Sequence, residues 1–229
     1  MRRRSETTSK KSTRLMKGRT SSLWGRPPTR YYRFLKLVEQ QLGTPLNLAI
    51  VGCSDGKFVL PAARRGHAVF AIDTDETALF GGCKHGPEGE VDMPGLSSRL
   101  RAEGLSERVI LVHGDFVEHR PPTPCHAVLT SGAIQYSRNL IHSLDAMISA
   151  LQAYVAPGGY LYVDYMLPME AHQAERENFP AQERWTGSFD SPDWQLLYNR
   201  VLPPVFERAH VDNPVDHYHH WGHLLVRRF

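Results

Sequence analysis

Apolar residues recur along the chain in short runs separated by segments of helical spacing. The runs at 48–51, 68–72, 108–113, 126–130 and 160–165 have strand length, and each ends in glycine, aspartate, serine or tyrosine. Between 31 and 42, Tyr31, Phe34, Leu35, Leu37, Val38 and Leu42 fall near a 3.6-residue period, with Thr29 placed to cap the helix. A second amphipathic helix spans 140–155, carrying Leu140, Leu144, Met147, Ile148, Leu151 and Val155 on one side, and Pro157, Gly158 and Gly159 stop it. A shorter helix over 96–105 directs Arg99, Arg101 and Glu103 outward. Gly81, Gly82, Gly86, Pro87, Gly89 and Pro94 make 81–94 a long loop. Residues 169–181 read as a charged helix, 183 onward as extended pieces, and 217–229 as a strand pairing antiparallel at the sheet edge. Strands alternating with helices predict an α/β fold with a mostly parallel sheet, helices on both faces and a small C-terminal cap.

Charge is unevenly spread. The chain has 229 residues, 27 Lys or Arg and 24 Asp or Glu. Residues 1–26 hold nine of the bases and one acid, leaving 18 bases against 23 acids in the remainder. Ser, Thr, Arg and Lys dominate the start, which buries too little apolar surface to offset its ordering entropy, so residues 1–22 are expected to be a disordered basic arm. Residues 23–229 are expected to form one domain, and the 41% hydrophobic fraction suffices for its core. The acidic body argues against nucleic acid as a partner. No run of eighteen apolar residues is present and the start lacks a secretory apolar core, so no membrane contact and a cytoplasmic location are expected. Cys53, Cys83 and Cys125 have no metal-ligand spacing, consistent with a reducing compartment.

The stretch 47–76 carries the candidate chemistry. An apolar run meets Gly52, Ser54 and Gly56, a helix follows, and the next strand delivers Asp73, Thr74 and Asp75. Glycine allows a tight turn beside a helix start, and an acid about twenty residues on fits a carboxylate that accepts from ribose hydroxyls. After the third strand come Gly114, Asp115 and Phe116, an acid and an aromatic placed to meet an adenine edge and face; after the fourth come Ser131 and Gly132. This order over residues 29–168 resembles the class I S-adenosylmethionine-dependent methyltransferases, with a Rossmann-like sheet and antiparallel last strand. Two positions depart from the family pattern: Ile50 stands where an acid is usual, and Ser54 replaces the middle glycine. The resemblance implies S-adenosylmethionine as cofactor, held by Gly52, Ser54, Gly56, Asp73, Thr74, Asp115, Phe116 and Ser131. A dehydrogenase is the rival, but the turn has fewer glycines than a dinucleotide's pyrophosphate usually requires.

Methyl transfer needs alignment and a deprotonated acceptor, not a covalent enzyme intermediate. Acceptor residues are therefore sought where strands four and five end, which offers Ser131, Gln135, Tyr136, Asp164 and Tyr165, with Tyr136 and Asp164 the leading pair; the resemblance further implies an N-terminal helix over the cofactor, with Trp24, Tyr31 and Tyr32 as part of a lid. Thr130, Ser131, Gly132, Ala133 and Ile134 lack the Asn/Asp, double proline and aromatic of enzymes that methylate base amines. In HYHHWGH, residues 217–223, His217, His219, Trp221 and His223 share a strand face, with His219 the candidate base; His210 and His113 have weaker claims. No cysteine or HExxH helix accompanies them, so no metal is expected, and Gly222 implies close packing. A small polar metabolite, methylated at nitrogen or oxygen in specialised biosynthesis, is the expected acceptor. The alternatives are an RNA or protein methyltransferase guided by the basic arm, and a non-catalytic S-adenosylmethionine-binding protein.

Overall fold

The computed structural model describes residues 22–136, 141–176, 178–211 and 213–229. In chain order the elements are α1 (Thr29–Leu42), β1 (Asn47–Val51), α2 (Val59–Arg64), β2 (Ala68–Asp73), α3 (Glu76–Phe80), β3 (Gly82–Gly86), β4 (Gly89–Met93), α4 (Leu96–Ala102) and β5 (Val109–His113). They continue as β6 (Cys125–Ser131), α5 (Ala133–Tyr136), α6 (Leu144–Tyr154), β7 (Val155–Leu167), α7 (Ala171–Ala174), α8 (Gln182–Gly187), β8 (Trp194–Val201), β9 (Val205–Glu207) and β10 (His217–Arg228). The main sheet has the order β5-β2-β1-β6-β7-β10-β8. Its first five strands are parallel, and β10 runs antiparallel to β7, β8 and β9.

Alternation along the central strands supplies both core layers. Leu48 and Ile50 face α1 and α2, where they meet Tyr31, Phe34, Leu35 and Leu60. Ala49 and Val51 point the other way, toward Met147, Ile148, Leu151 and Trp185. Burial on both faces is what parallel strands with helical crossovers require. Strand order reverses between β1 and β6, so the loops leaving their carboxyl ends diverge and open a crevice there.

Several local expectations need correction. Pro28, extended at φ −67° and ψ 158°, is the N-cap of α1, and Thr29 is already helical. The fixed φ of proline makes it a natural stop just outside the helix. Ser143 lies outside α6 as its cap and accepts from Ala146 N at 3.2 Å, a contact worth about 1 kcal/mol. The supposed loop over 81–94 contains the antiparallel hairpin β3–β4, because Lys84 pairs with Val91 and Cys83 with Asp92 around a Pro87-Glu88 turn. Arg99 turns inward to Asp55, 3.4 Å away, not outward. Trp185 sits in a helix, α8, not in an extended piece. The last strand is interior: β8 takes the edge and β10 lies between it and β7. The expected arm lies outside the described residues except for Ser22, which is buried and donates to Asp55 Oδ1 at 2.5 Å.

Candidate active site

The crevice is a cavity of about 580 Å³ lined from three directions. Its floor is the turn after β1, with Gly52, Cys53, Ser54 and Lys57, and the start of α5, with Ser131, Gly132 and Ala133. One side carries Asp73, Thr74, Gly114 and Phe116 from the ends of β2 and β5. The opposite side carries Phe206, Glu207, His210, His219 and Trp221, while Trp24 and Arg30 close the N-terminal rim.

Turn geometry follows from the backbone. Gly52 has φ +70°, and a Cβ there would stand 2.5 Å from Ala133 Cβ, so α5 can approach β1 only over glycine. Ser54 keeps the left-handed backbone of the replaced glycine at φ +45°. Its N–H donates to Asp73 Oδ2 at 2.7 Å, and its Oγ accepts from Trp24 Nε1 at 2.9 Å. Asp55 accepts from Leu23 N at 2.7 Å as well as from Ser22. The turn is thus strapped to the segment before α1. Gly56 does not line the cavity; at φ +94° its missing side chain makes room for Leu96 Cδ1, 2.4 Å from an added Cβ.

Asp73 lines the cavity, and its Oδ1 also accepts from Asp75 N at 2.9 Å. Burial raises its carboxyl pKa above the ordinary value despite these two backbone donors. Asp115 departs from expectation. Its Oδ1 accepts from Val117 N at 2.8 Å and its Oδ2 meets His142 Nε2 at 2.9 Å, so the cavity receives Gly114 and the Phe116 ring, not this carboxylate.

The acceptor-side expectations also change. Asp164 is 2% exposed and absent from the cavity wall. It holds Ser131 Oγ at 2.9 Å, Arg30 at 3.2 Å and His223 Nδ1 in close contact, and so is a buried anchor, not a group facing the methyl. Burial pushes its carboxyl up, but the His223 hydrogen bond and the Arg30 charge outweigh this and leave it below the ordinary carboxylate value. Tyr136 ends α5, which places its backbone beside the floor, but its side chain lies outside the described residues. Of the expected lid, Trp24 lines the cavity, Tyr31 is buried with its hydroxyl donating to Phe58 O at 2.6 Å, and Tyr32 is solvent-exposed. His219 lines the wall with Nε2 2.8 Å from Glu207 Oε2. That hydrogen bond is the chief reason the Glu207 carboxyl is held below its ordinary value.

Among the lining residues not anticipated are Arg30, Lys57, Phe206 and Glu207. Lys57 directly follows Gly56, and burial followed by the Arg30 charge lowers its pKa. Arg30 reaches from α1 to Tyr162 Oη at 3.0 Å and onward to Asp164. Spacing offered no sign of Arg30, since its place depends on how α1 crosses the strand ends.

No family model matches the chain. It is 27% identical over 139 residues to the ubiquinone biosynthesis O-methyltransferase of Caulobacter vibrioides, a match covering 55% of this chain and 55% of that protein. The chain therefore matches about half the length of that curated relative. Its structure superimposes on TehB from Haemophilus influenzae with a TM-score of 0.64 at 12% identity, covering 89% of this chain and 63% of TehB. It also matches the 1,6-didemethyltoxoflavin-N1-methyltransferase of Burkholderia thailandensis, whose structure holds S-adenosylhomocysteine, with a TM-score of 0.57 at 14% identity over 86% of this chain and 77% of that one. The fold is that of the class I S-adenosylmethionine-dependent methyltransferases. Among the described residues, no helix is long and apolar enough to cross a membrane.

Proposed function

We propose that the protein transfers the methyl group of S-adenosylmethionine to a nitrogen or oxygen of a small polar molecule. One observation carries this reading: a single cavity joins the glycine turn and Asp73 to the wall of Glu207, His210, His219 and Trp221. Its volume is in the range of small-molecule sites. The donor set suits the cofactor. Asp73 can accept from ribose hydroxyls, the Gly114 backbone and Phe116 ring suit adenine, and Arg30 and Lys57 bring positive charge suited to the methionine carboxylate. Ser131, Gly132 and Ala133 form the floor between the two ends, and Tyr136 follows them on α5.

In the reaction, an acceptor lone pair forms the new bond to the methyl carbon as the carbon–sulfur bond breaks, leaving S-adenosylhomocysteine, and the acceptor gives up a proton. The His219–Glu207 pair is the group on the far wall suited to orient or take that proton. A small acceptor is supported by the relative whose structure holds 1,6-didemethyltoxoflavin, and a place in biosynthesis by the relative named for ubiquinone biosynthesis.

Calorimetry with S-adenosylhomocysteine tests the cofactor end. Asp73→Ala is expected to weaken binding by about 2 kcal/mol, the scale of hydrogen bonds to a charged group. Binding uses the ionised carboxylate, whose pKa is raised, so affinity should fall as pH drops through that raised value and should do so less steeply in Asp73→Asn. Wild-type affinity in Asp73→Ala would remove the ribose assignment.

A further inference from the structure

Three groups of the far wall, Glu207, His210 and His219, form with the neighbouring His217 a cluster that acid–base chemistry does not exhaust. His210 Nε2 and His217 Nε2 lie 3.9 and 3.8 Å from Glu207 Oε2, and His219 Nε2 lies 2.8 Å from it. His217 Nε2 and His219 Nε2 are 2.9 Å apart. All four ligand-type atoms fall within 4.8 Å of one another. In a tetrahedral zinc site with bonds of about 2.0–2.1 Å, neighbouring ligand atoms stand about 3.3 Å apart, so these separations bracket the required edge.

From this geometry we infer that Glu207, His210, His217 and His219 bind one divalent transition-metal ion of the zinc type on the wall of the cavity. The supports are independent of the four atoms themselves. His217 Nδ1 is committed to the Val215 carbonyl at 2.8 Å, which fixes the ring and turns the Nε2 lone pair inward, the outer-shell arrangement usual for a metal-bound histidine. The backbone of His210 is pinned by reciprocal hydrogen bonds with Asn213, at 2.7 and 3.1 Å. Pairing of Glu207 with His217 and of Val205 with His219 fixes β9 against β10. Two backbone-anchored segments thus hold their ligands around one point. Imidazole with one carboxylate suits zinc and its neighbours, whereas calcium and magnesium prefer all-oxygen sites.

The inferred site departs from the expectation of no metal, which weighed the β10 histidines without the two ligands from the segment 207–210. The metal assignment stands apart from the methyl-transfer reading. Its consequence rests on that reading: the His219 lone pair would belong to the ion, and an acceptor hydroxyl would lose its proton on joining the ion as a fifth ligand.

The test uses the full chain, stripped with chelator and titrated with zinc and with cobalt(II). The expected result is one tightly held equivalent, with cobalt bands of tetrahedral intensity. His219→Ala and Glu207→Gln should each weaken binding at least about tenfold. His220→Ala, which alters the other face of β10, should keep it. Circular dichroism and S-adenosylhomocysteine binding show that each variant is folded, and they report on the cofactor site separately from the metal. No tight equivalent in the folded wild type would overturn the site. So would unchanged binding in folded His219→Ala, or loss in His142→Ala with retention in His219→Ala, which would move the ion to the Asp115, Glu118 and His142 group.

Discussion

Asp164→Ala is expected to lower the stability of the fold by about 3–5 kcal/mol, the cost of removing one partner from a buried ion pair. The carboxylate is held by Arg30, Ser131 and His223, so its loss leaves three groups without their acceptor. Arg30, 36% exposed, can turn to water in the cavity, which places the expected loss toward the lower end. His223 cannot do so: its side chain is 6% exposed and its Nε2 has no hydrogen-bond partner, so it depends on the Nδ1–H bond to Asp164. Urea unfolding measures the difference. Acid adds an independent check. A carboxyl held below its unfolded value contributes stability that is complete above about pH 4 and is lost as pH falls through the folded value. Asp164→Asn should therefore show a shallower loss than wild type below about pH 4. Equal slopes would mean that the anchor is not ionised in the fold.

Gly52→Ala is expected to cost about 3 kcal/mol. Part arises from placing a side chain at φ +70°, roughly 1–2 kcal/mol, and part from the overlap with Ala133, roughly 1–3 kcal/mol. Ala133→Gly in the same chain should recover the second part but not the first, so the two changes should couple measurably. Additive effects would show that β1 and α5 do not meet as closely as described. Because both residues form the cavity floor, the single variant should also weaken S-adenosylhomocysteine binding.

The parallel half of the fold was legible because its strands carry unbroken apolar runs with turn residues at their ends. Leu48 to Val51 and Ala68 to Ile72 announced neighbouring strands, and Asp73 stands where β2 ends. Gly222 likewise signalled close approach: an added Cβ would lie 2.1 Å from the Tyr165 ring. What stayed hidden depended on choices that periodicity does not encode. Asp115 has the expected position but finds its partners in its own turn and in His142. Asp164 is the polar residue closing an apolar run, which reads the same whether the carboxylate faces a ligand or the core; only the crossing of α1 brings Arg30 over it. The β3–β4 hairpin was concealed by glycines that serve its flanks and turn.

β10 spans two mechanical roles in one continuous strand. Residues 220–227 are paired with β7 in the middle of the sheet, while 217–219 run past the end of β7 and pair only with β9. His219 and Trp221 are therefore held at fixed height and angle by residues such as Leu224 and Val226, which lie wholly in the core. Any substitution that re-aims this wall must tilt a central strand. Phe206, half exposed on the short β9, carries no such burden, so descendants of this chain are free to change the shape of the cavity there, and diversification should accumulate at that position while the β10 face is inherited intact.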